Sequence, residues 1–162
     1  MLKIIDNCLH QDLVECAQVS LLNEIYRLGY SNNWDEPNFF NTTRKNLDGI
    51  FLLALKEFLS FGYLKNVELL RSYANLHPAG EFYAGKMHTD DEGGYGVTLL
   101  YYPFDWQIEW GGGTEFEDGT IVDYVCNRLL IFDGDINHRA LPHTSPHGFR
   151  YSVAYKTKAE WE

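Results

Sequence analysis

Two histidines and one aspartate are the residues of this chain whose types and spacing best fit metal chemistry. His88 and Asp90 flank Thr89, and His138 follows about fifty residues later. On a β-strand, residues i and i+2 point the same way, so His88 and Asp90 can bind one ion while Thr89 faces away. Two imidazoles and one carboxylate on one side of Fe(II), with open positions opposite, form the non-haem iron sites that activate oxygen. The pattern therefore predicts an iron site, provided that His138 lies on a neighbouring strand.

The His-x-Asp triplet is weak evidence by itself. With six histidines and 23 acidic residues in 162 positions, chance alone supplies about one His-x-acid match. His143 and His147 also compete with His138 for the place of third ligand. We favour His138 because it closely follows an apolar run, whereas the other two lie in the turn that precedes the last strand.

Arg150 is the predicted binding residue for a carboxylate. Its strand alternates between bulky and small or polar side chains, so that Arg150 shares one face with Ser152 and Ala154. A guanidinium fork matches the two oxygens of a carboxylate and stays charged in a poorly hydrated pocket. Arg71 is the rival for this role, because it too lies on a polar strand face.

Two further strands present polar side chains on one face. Thr98 and Tyr102 share a face of one strand, with Leu100 between them. The other strand carries a polar set made of Arg71, Tyr73, Asn75 and His77. Burying such groups without partners costs a few kcal/mol each, about 1–3 in proteins. We therefore expect a bound polar ligand between these strands.

Composition excludes several classes of partner. A formal net charge of −10 without a Lys/Arg stripe argues against nucleic acid. The cysteines, Cys8, Cys16 and Cys126, are scattered without a Cys-x-x-Cys pair, which indicates neither a disulfide framework nor a thiolate zinc site. There is no run of 18 apolar residues, so no membrane segment is expected. We expect a cytoplasmic protein.

Periodicity predicts a mainly β protein with N-terminal helices. We expect one domain over 1–162, with helical support over about 1–65 and a strand-rich core over about 66–157. The two helices are predicted near 12–28 and 47–61, with an irregular segment from Ser31 to Thr43 between them. The eight strands are predicted near 67–76, 85–90, 97–102, 113–116, 120–125, 128–132, 137–141 and 149–156. This order suggests a double-sheet jelly roll backed by the helices, with Gly111 to Gly113 as a structural turn or bulge.

An ordered series of motifs runs from residue 71 to residue 155. It comprises the strand with Tyr73, His88-Thr89-Asp90, the strand 97–102, Trp106, the Trp-Gly-Gly-Gly-Thr-Glu-Phe segment 110–116, the strand 128–132, His138 and Arg150-Tyr151-Ser152-Val153. This series resembles the Fe(II)/2-oxoglutarate-dependent oxygenases, specifically their prolyl 4-hydroxylase-like branch. The first 65 residues add only a compatible pair of helices.

The resemblance implies a double-stranded β-helix with Fe(II), 2-oxoglutarate and O₂ as cofactor and cosubstrates, and it admits ascorbate as an accessory reductant. His88, Asp90 and His138 would bind the iron, and Arg150 would bind the far carboxylate of 2-oxoglutarate. Tyr102 matches the tyrosine that assists this arginine. The expected pocket is completed by Thr98, Tyr73 and Ser152.

The resemblance also implies the activity: hydroxylation of an aliphatic C–H, most simply of a prolyl residue in a protein or peptide, by a monomer or small homo-oligomer. A free amino acid or small metabolite stays open as substrate, because so short a chain has little added surface to hold a macromolecule. Nucleobase demethylation is disfavoured by the net charge, and a non-catalytic binding or sensor module is the non-enzymatic alternative. Ser31 to Thr43 and Asp91 to Tyr95 are candidate lids.

Overall fold

The chain folds into two antiparallel sheets and two helices. A computed structural model describes residues 1–28, 40–42, 47, 49–80, 85–90 and 96–162. The helices are α1 (Gln11–Leu22) and α2 (Ile50–Ser60), and Ile108–Trp110 form one 3₁₀ turn. The strands are β1 (Leu2–Asp6), β2 (Tyr26–Leu28), β3 (Phe40–Thr42), β4 (Leu64–Pro78), β5 (Gly96–Tyr102), β6 (Thr114–Phe116), β7 (Ile121–Val122), β8 (Arg128–Asp133), β9 (His138–Ala140) and β10 (Phe149–Trp161). The predicted mainly β architecture with N-terminal helices is confirmed.

The two sheets differ in size, and the candidate metal ligands and Arg150 lie between them. The large sheet has the strand order β1-β8-β5-β10-β4-β3-β2, and the small sheet has the order β7-β6-β9. Strand β10 is central to the large sheet, since it pairs with β4 along one edge and with β5 along the other. It therefore places residues from three strands next to one another.

One face of the large sheet packs against the helices. Val14, Ala17 and Leu21 recur at three- and four-residue steps and form the buried side of α1. Helix α2 buries Phe51 and Phe58 in the same way. These helices cover the outer side chains of β5 and β10, and the Tyr155 hydroxyl donates to the Phe51 carbonyl at 2.8 Å.

The opposite face of the large sheet lies toward the small sheet. Its buried apolar cluster joins large-sheet residues to Phe116 of β6, Val122 of β7 and Tyr124 of the loop that follows β7. The contributing large-sheet residues are Tyr73, Leu100, Tyr102, Leu130, Phe132 and Ala154. We call this the inner face. The bulky side chains of β10 are thus on the helix side, and its small and polar side chains are on the inner face.

The structure differs from the predicted elements in several places. The first helix ends at Leu22, where the Asn23 side chain donates to the Val19 carbonyl, and Tyr26–Leu28 form a strand instead. The apolar period continued past Leu22, but Ile25 is 71% exposed, so it packs no helix face. Strand β1 was not predicted. Within the expected irregular segment Phe40–Thr42 form a strand, whereas the candidate lids otherwise lie outside the described residues.

The predicted strand at 85–90 is also wrong. Here only His88 forms an isolated bridge, paired with His138. Among the helices that the structure describes, none is long and apolar enough to span a bilayer.

Candidate metal centre and carboxylate pocket

The backbone brings the three predicted metal ligands together. His88 and His138 exchange two backbone hydrogen bonds, of 3.0 and 2.9 Å, and the Asp90 amide donates to the Gly134 carbonyl at 2.7 Å. These bonds hold the segment around His88 against β9 and against the turn that precedes it. His138 therefore lies beside His88 on β9, although the segment around His88 forms only an isolated bridge and no strand.

One side-chain atom from each of His88, Asp90 and His138 lies within 4.8 Å of the others. The His88 Nε2 is 3.7 Å from Asp90 Oδ1, and the His138 Nε2 is 3.3 Å from Asp90 Oδ2. The Asp90 and His138 side chains are 4% and 8% exposed, whereas the His88 side chain is half exposed. The cluster is therefore buried on the protein side and open to solvent at His88.

In each of the two histidines, a contact of Nδ1 with a backbone carbonyl orients the ring so that Nε2 faces Asp90. The Nδ1 of His88 lies 2.8 Å from the Lys86 carbonyl, and the Nδ1 of His138 lies 3.0 Å from the Ile136 carbonyl. Because a carbonyl can only accept, each Nδ1 carries a proton, and the Nε2 of each ring is the nitrogen that faces Asp90. Two imidazole nitrogens and one carboxylate are the donor set of non-haem Fe(II) sites, so these three side chains fit that metal.

Asp90 is held by two side chains of the inner face. The Thr98 hydroxyl donates to Asp90 Oδ2 at 2.8 Å, and the Lys156 ammonium forms an ion pair with the same oxygen. Burial raises the pKa of the Asp90 carboxyl, but Lys156 and His138 oppose this and hold the pKa well below its ordinary value. Asp90 is therefore a carboxylate in the folded protein.

Arg150 is almost completely buried, at 1% exposure. Its Nε donates to the Gly112 carbonyl, and its two terminal nitrogens lie 3.4 Å from His77 Nδ1 and 3.5 Å from Thr114 Oγ1. No carboxylate among the described residues pairs with this guanidinium. Arg150 therefore carries a buried positive charge without a protein counterion in that part of the chain, which is costly unless an anion binds there.

Aromatic rings pack against the guanidinium. The Arg150 Cζ lies 5.2 Å from the Tyr102 ring centroid and 5.4 Å from that of Tyr124, within cation–π range. These two rings stack at 4.4 Å, and the Tyr102 hydroxyl lies 2.6 Å from Thr114 Oγ1. The rings exclude water from the arginine and fix its direction.

His77 supplies a neutral polar neighbour for Arg150. Burial, followed by the charge of Arg150, lowers the pKa of His77 well below its ordinary value. Its Nδ1 can therefore accept from the guanidinium. His143, a rejected rival for the metal, is held elsewhere, since its Nε2 donates to the His77 carbonyl at 2.8 Å. His147 packs its ring against Trp110.

The remaining predicted pocket residues lie at different points of the inner face. Thr98 contacts Asp90 rather than Arg150. The Lys156 ammonium lies 5.8 Å from the Tyr73 ring centroid, and the Arg71 Cζ lies 5.4 Å from the same centroid. Ser152 is buried and pairs with Asn75 across the strands.

Sequence reasoning missed Lys156, Thr114 and the contact of His77 with Arg150. Lys156 continues the alternation of Arg150, Ser152 and Ala154, so extending that face by one more step would have found it. Thr114 follows the glycine run, and nothing in the sequence separates it from other strand threonines.

No protein-family profile matches the sequence, and no curated protein sequence matches it. Solved structures do match. A prolyl hydroxylase from Trichoplax adhaerens, in complex with a hypoxia-inducible-factor peptide, superposes with a TM-score of 0.72 at 17% identity, over 97% of this chain and 83% of that one. HygX from Streptomyces hygroscopicus, with nickel, 2-oxoglutarate and hygromycin B bound, gives 0.71 at 13% identity, over 97% and 82%. The chain has the fold of the 2-oxoglutarate-dependent oxygenases.

This fold accounts for almost the whole chain. The viral collagen prolyl hydroxylase of Paramecium bursaria Chlorella virus 1, in complex with 2-oxoglutarate, matches 98% of this chain and 96% of its own length, with a TM-score of 0.68 and 16% identity. The predicted jelly-roll fold is confirmed, and prolyl hydroxylases are among the structures that share this oxygenase fold. The His-Asp-His cluster lies on the inner face of that fold.

Proposed function

We propose that this protein is an Fe(II)- and 2-oxoglutarate-dependent oxygenase that hydroxylates an aliphatic C–H bond. One observation carries the proposal: the metal-ligand cluster of His88, Asp90 and His138 lies on the same inner face as the buried charge of Arg150, which no carboxylate of the described residues neutralises. A metal and a carboxylate are what these two features attract. A ligand that joins them must be a small molecule with a metal-binding end and a carboxylate at the other end.

Strand β10 carries one basic residue toward each end of its inner face. Its inner face carries Arg150 and Lys156 at two ends, and six residues of strand place their Cα atoms roughly 20 Å apart. Ser152 and Ala154, which lie between them, are small and buried. Arg150 and Lys156 both contact residues of the inner face, and only small side chains lie between them on β10. This arrangement is compatible with a short dicarboxylate such as 2-oxoglutarate.

When bound, Fe(II) and 2-oxoglutarate supply with O₂ the oxidising power for hydroxylation and release succinate and CO₂. His88, Asp90 and His138 would hold the metal on one side and leave its other positions open. Arg150 would bind the far carboxylate with two hydrogen bonds, and Tyr102 and Tyr124 would keep water from it. These contacts would fix the position of the cosubstrate before the substrate arrives.

The prolyl hydroxylases of the same fold support a prolyl residue in a protein or peptide as the substrate. The HygX structure, which holds hygromycin B, supports a small molecule as the second candidate. The net charge of −10 favours a neutral or cationic substrate in either case.

Succinate release tests the proposal. The purified protein is incubated in air with Fe(II), 2-oxoglutarate and ascorbate, first alone and then with proline-containing peptides and free amino acids. We expect succinate that depends on Fe(II) and on O₂, and with the right substrate a product heavier by one oxygen atom in mass spectrometry. Stoichiometric binding of 2-oxoglutarate without succinate under all conditions would contradict the enzyme and favour a binding module.

A further inference from the structure

Lys156 occupies an unusual position beside the candidate metal centre. It lies on the inner face of β10, is 6% exposed, and pairs across the strands with Thr98 of β5. Its ammonium contacts Asp90 Oδ2 and lies 3.3 Å from the Thr98 hydroxyl oxygen. That hydroxyl donates in turn to the same Asp90 oxygen. Three side chains thus form one closed set of polar contacts.

This arrangement makes the two oxygens of Asp90 unequal. Oδ2 receives both the Thr98 hydroxyl and the Lys156 ammonium, which uses the lone pairs of that oxygen. Oδ2 also lies 3.3 Å from His138 Nε2. Oδ1 accepts no hydrogen bond from the residues that the structure describes, and it lies 3.7 Å from His88 Nε2. Rotation of the carboxylate would break two contacts at once, so Oδ1 stays directed toward His88.

We propose that Lys156 is a positioning residue of the metal centre: it holds Oδ2 so that Asp90 binds the metal through Oδ1 alone, and its charge lowers the affinity of the site for divalent cations. The proposal rests on the assignment of His88, Asp90 and His138 as metal ligands made above. A single-oxygen carboxylate leaves one more position of the metal open for ligands from solution.

Charge and geometry predict opposite effects when the ammonium is removed. If Lys156 only maintained the shape of the site, its loss would loosen Asp90 and weaken metal binding. If it acts as proposed, its loss removes a buried positive charge near the cation and frees Oδ2 as a second ligand, and metal binding becomes tighter. Buried charges are poorly screened, so the second effect dominates.

Isothermal titration with Mn(II) alone, without 2-oxoglutarate, separates these outcomes. We expect Lys156→Met to bind Mn(II) at least tenfold more tightly than the wild type, and Lys156→Arg, which keeps the charge, to bind like the wild type. Lys158→Met is the matched control, since Lys158 lies two residues along the same strand but is exposed. Unchanged or weaker binding by Lys156→Met would overturn the proposal.

A milder variant covers the case in which Lys156→Met does not fold. Lys156→Gln removes the charge but keeps a donor near Oδ2, and we expect it also to bind Mn(II) at least tenfold more tightly. Wild-type affinity in this variant would equally overturn the proposal.

A crystal structure with Mn(II) then tests the geometry. Asp90 should bind through Oδ1 in the wild type and through both oxygens in Lys156→Met, whereas two-oxygen binding in the wild type contradicts the proposal. Absence of Mn(II) binding by the wild type would reject the metal centre itself. Wild-type binding with no effect of Lys156→Met rejects only the role of Lys156.

Discussion

The Nε of Arg150 donates a hydrogen bond to the backbone carbonyl of Gly112, which lies 38 residues earlier in the chain. Gly112 has a φ of +79°, and a Cβ at this position would lie 3.1 Å from His143 Cβ, 3.1 Å from Trp106 Cζ2 and 3.3 Å from Arg150 Cδ. The glycine run is therefore more than a turn. It lets the backbone approach the arginine and gives that side chain an acceptor.

Gly112→Ala should weaken both folding and cosubstrate binding. A side chain at positive φ costs about 1–2 kcal/mol, and crowding against Arg150 costs about 1–3 kcal/mol more. Urea unfolding measures the free energy of folding, and 2-oxoglutarate titration measures the affinity for the cosubstrate. Gly119→Ala is the matched control, because Gly119 has a φ of +85° but nothing within 4 Å of the added Cβ. Equal effects of the two substitutions would show that crowding at Arg150 is unimportant.

Arg150→Gln should raise the 2-oxoglutarate concentration needed for half-maximal succinate release about tenfold to hundredfold. The reason is that a charged hydrogen bond contributes about 1.5–3 kcal/mol. Arg71→Gln should leave that concentration unchanged, because Arg71 lies over the Tyr73 ring and away from the contacts of Arg150. The opposite ranking of the two variants would transfer the carboxylate site to Arg71.

His138→Ala should abolish binding of Mn(II) in the concentration range that saturates the wild type, because two remaining ligands hold a divalent cation poorly. His147→Ala removes a rival histidine that packs against Trp110, and it should bind Mn(II) normally. Titration calorimetry measures both. Retained binding by His138→Ala would place the third ligand elsewhere.

Acidification should destabilise the metal-free protein partly through His77. Burial lowers the pKa of His77 below its ordinary 6.5, so the unfolded chain takes up a proton that the folded chain does not. The stability that this contributes is present above pH 6.5 and is lost as the pH falls below it, by at most about 1.4 kcal/mol per pH unit. Urea unfolding at about pH 7.5 and 5.5 should show a smaller loss for His77→Asn than for the wild type. An equal loss in both proteins would mean that His77 is protonated in the fold.

The periodicity of the sequence correctly predicted which side chains of a strand or helix share a face. Alternation along β10 separated Tyr155, which packs on the helices, from Arg150, which faces inward. It failed where contacts with distant residues decide the structure. Tyr26–Leu28 form a strand because Phe40–Thr42 pair with them, and the segment around His88 is irregular because its backbone follows β9 and the turn before it.

The candidate site shows the same division. The types and order of His88, Asp90, His138 and Arg150 were enough to predict where a metal and a carboxylate would bind. The partners of these residues were not predictable, because they depend on side-chain reach across strands. Thr98 shares a strand face with Tyr102, yet its hydroxyl reaches Asp90, and the strand β4 residue nearest Arg150 is His77 rather than Tyr73.

His88, Asp90 and His138 are expected to bind one cation, and Arg150 is expected to bind one carboxylate of a ligand on the same inner face. The most direct test is a crystal structure of the protein with Mn(II) and 2-oxoglutarate, prepared without oxygen, with the metal located by its anomalous scattering. We expect the metal among His88, Asp90 and His138 and the far carboxylate of 2-oxoglutarate on the Arg150 guanidinium. A metal bound elsewhere, or a carboxylate that does not contact Arg150, would contradict this account.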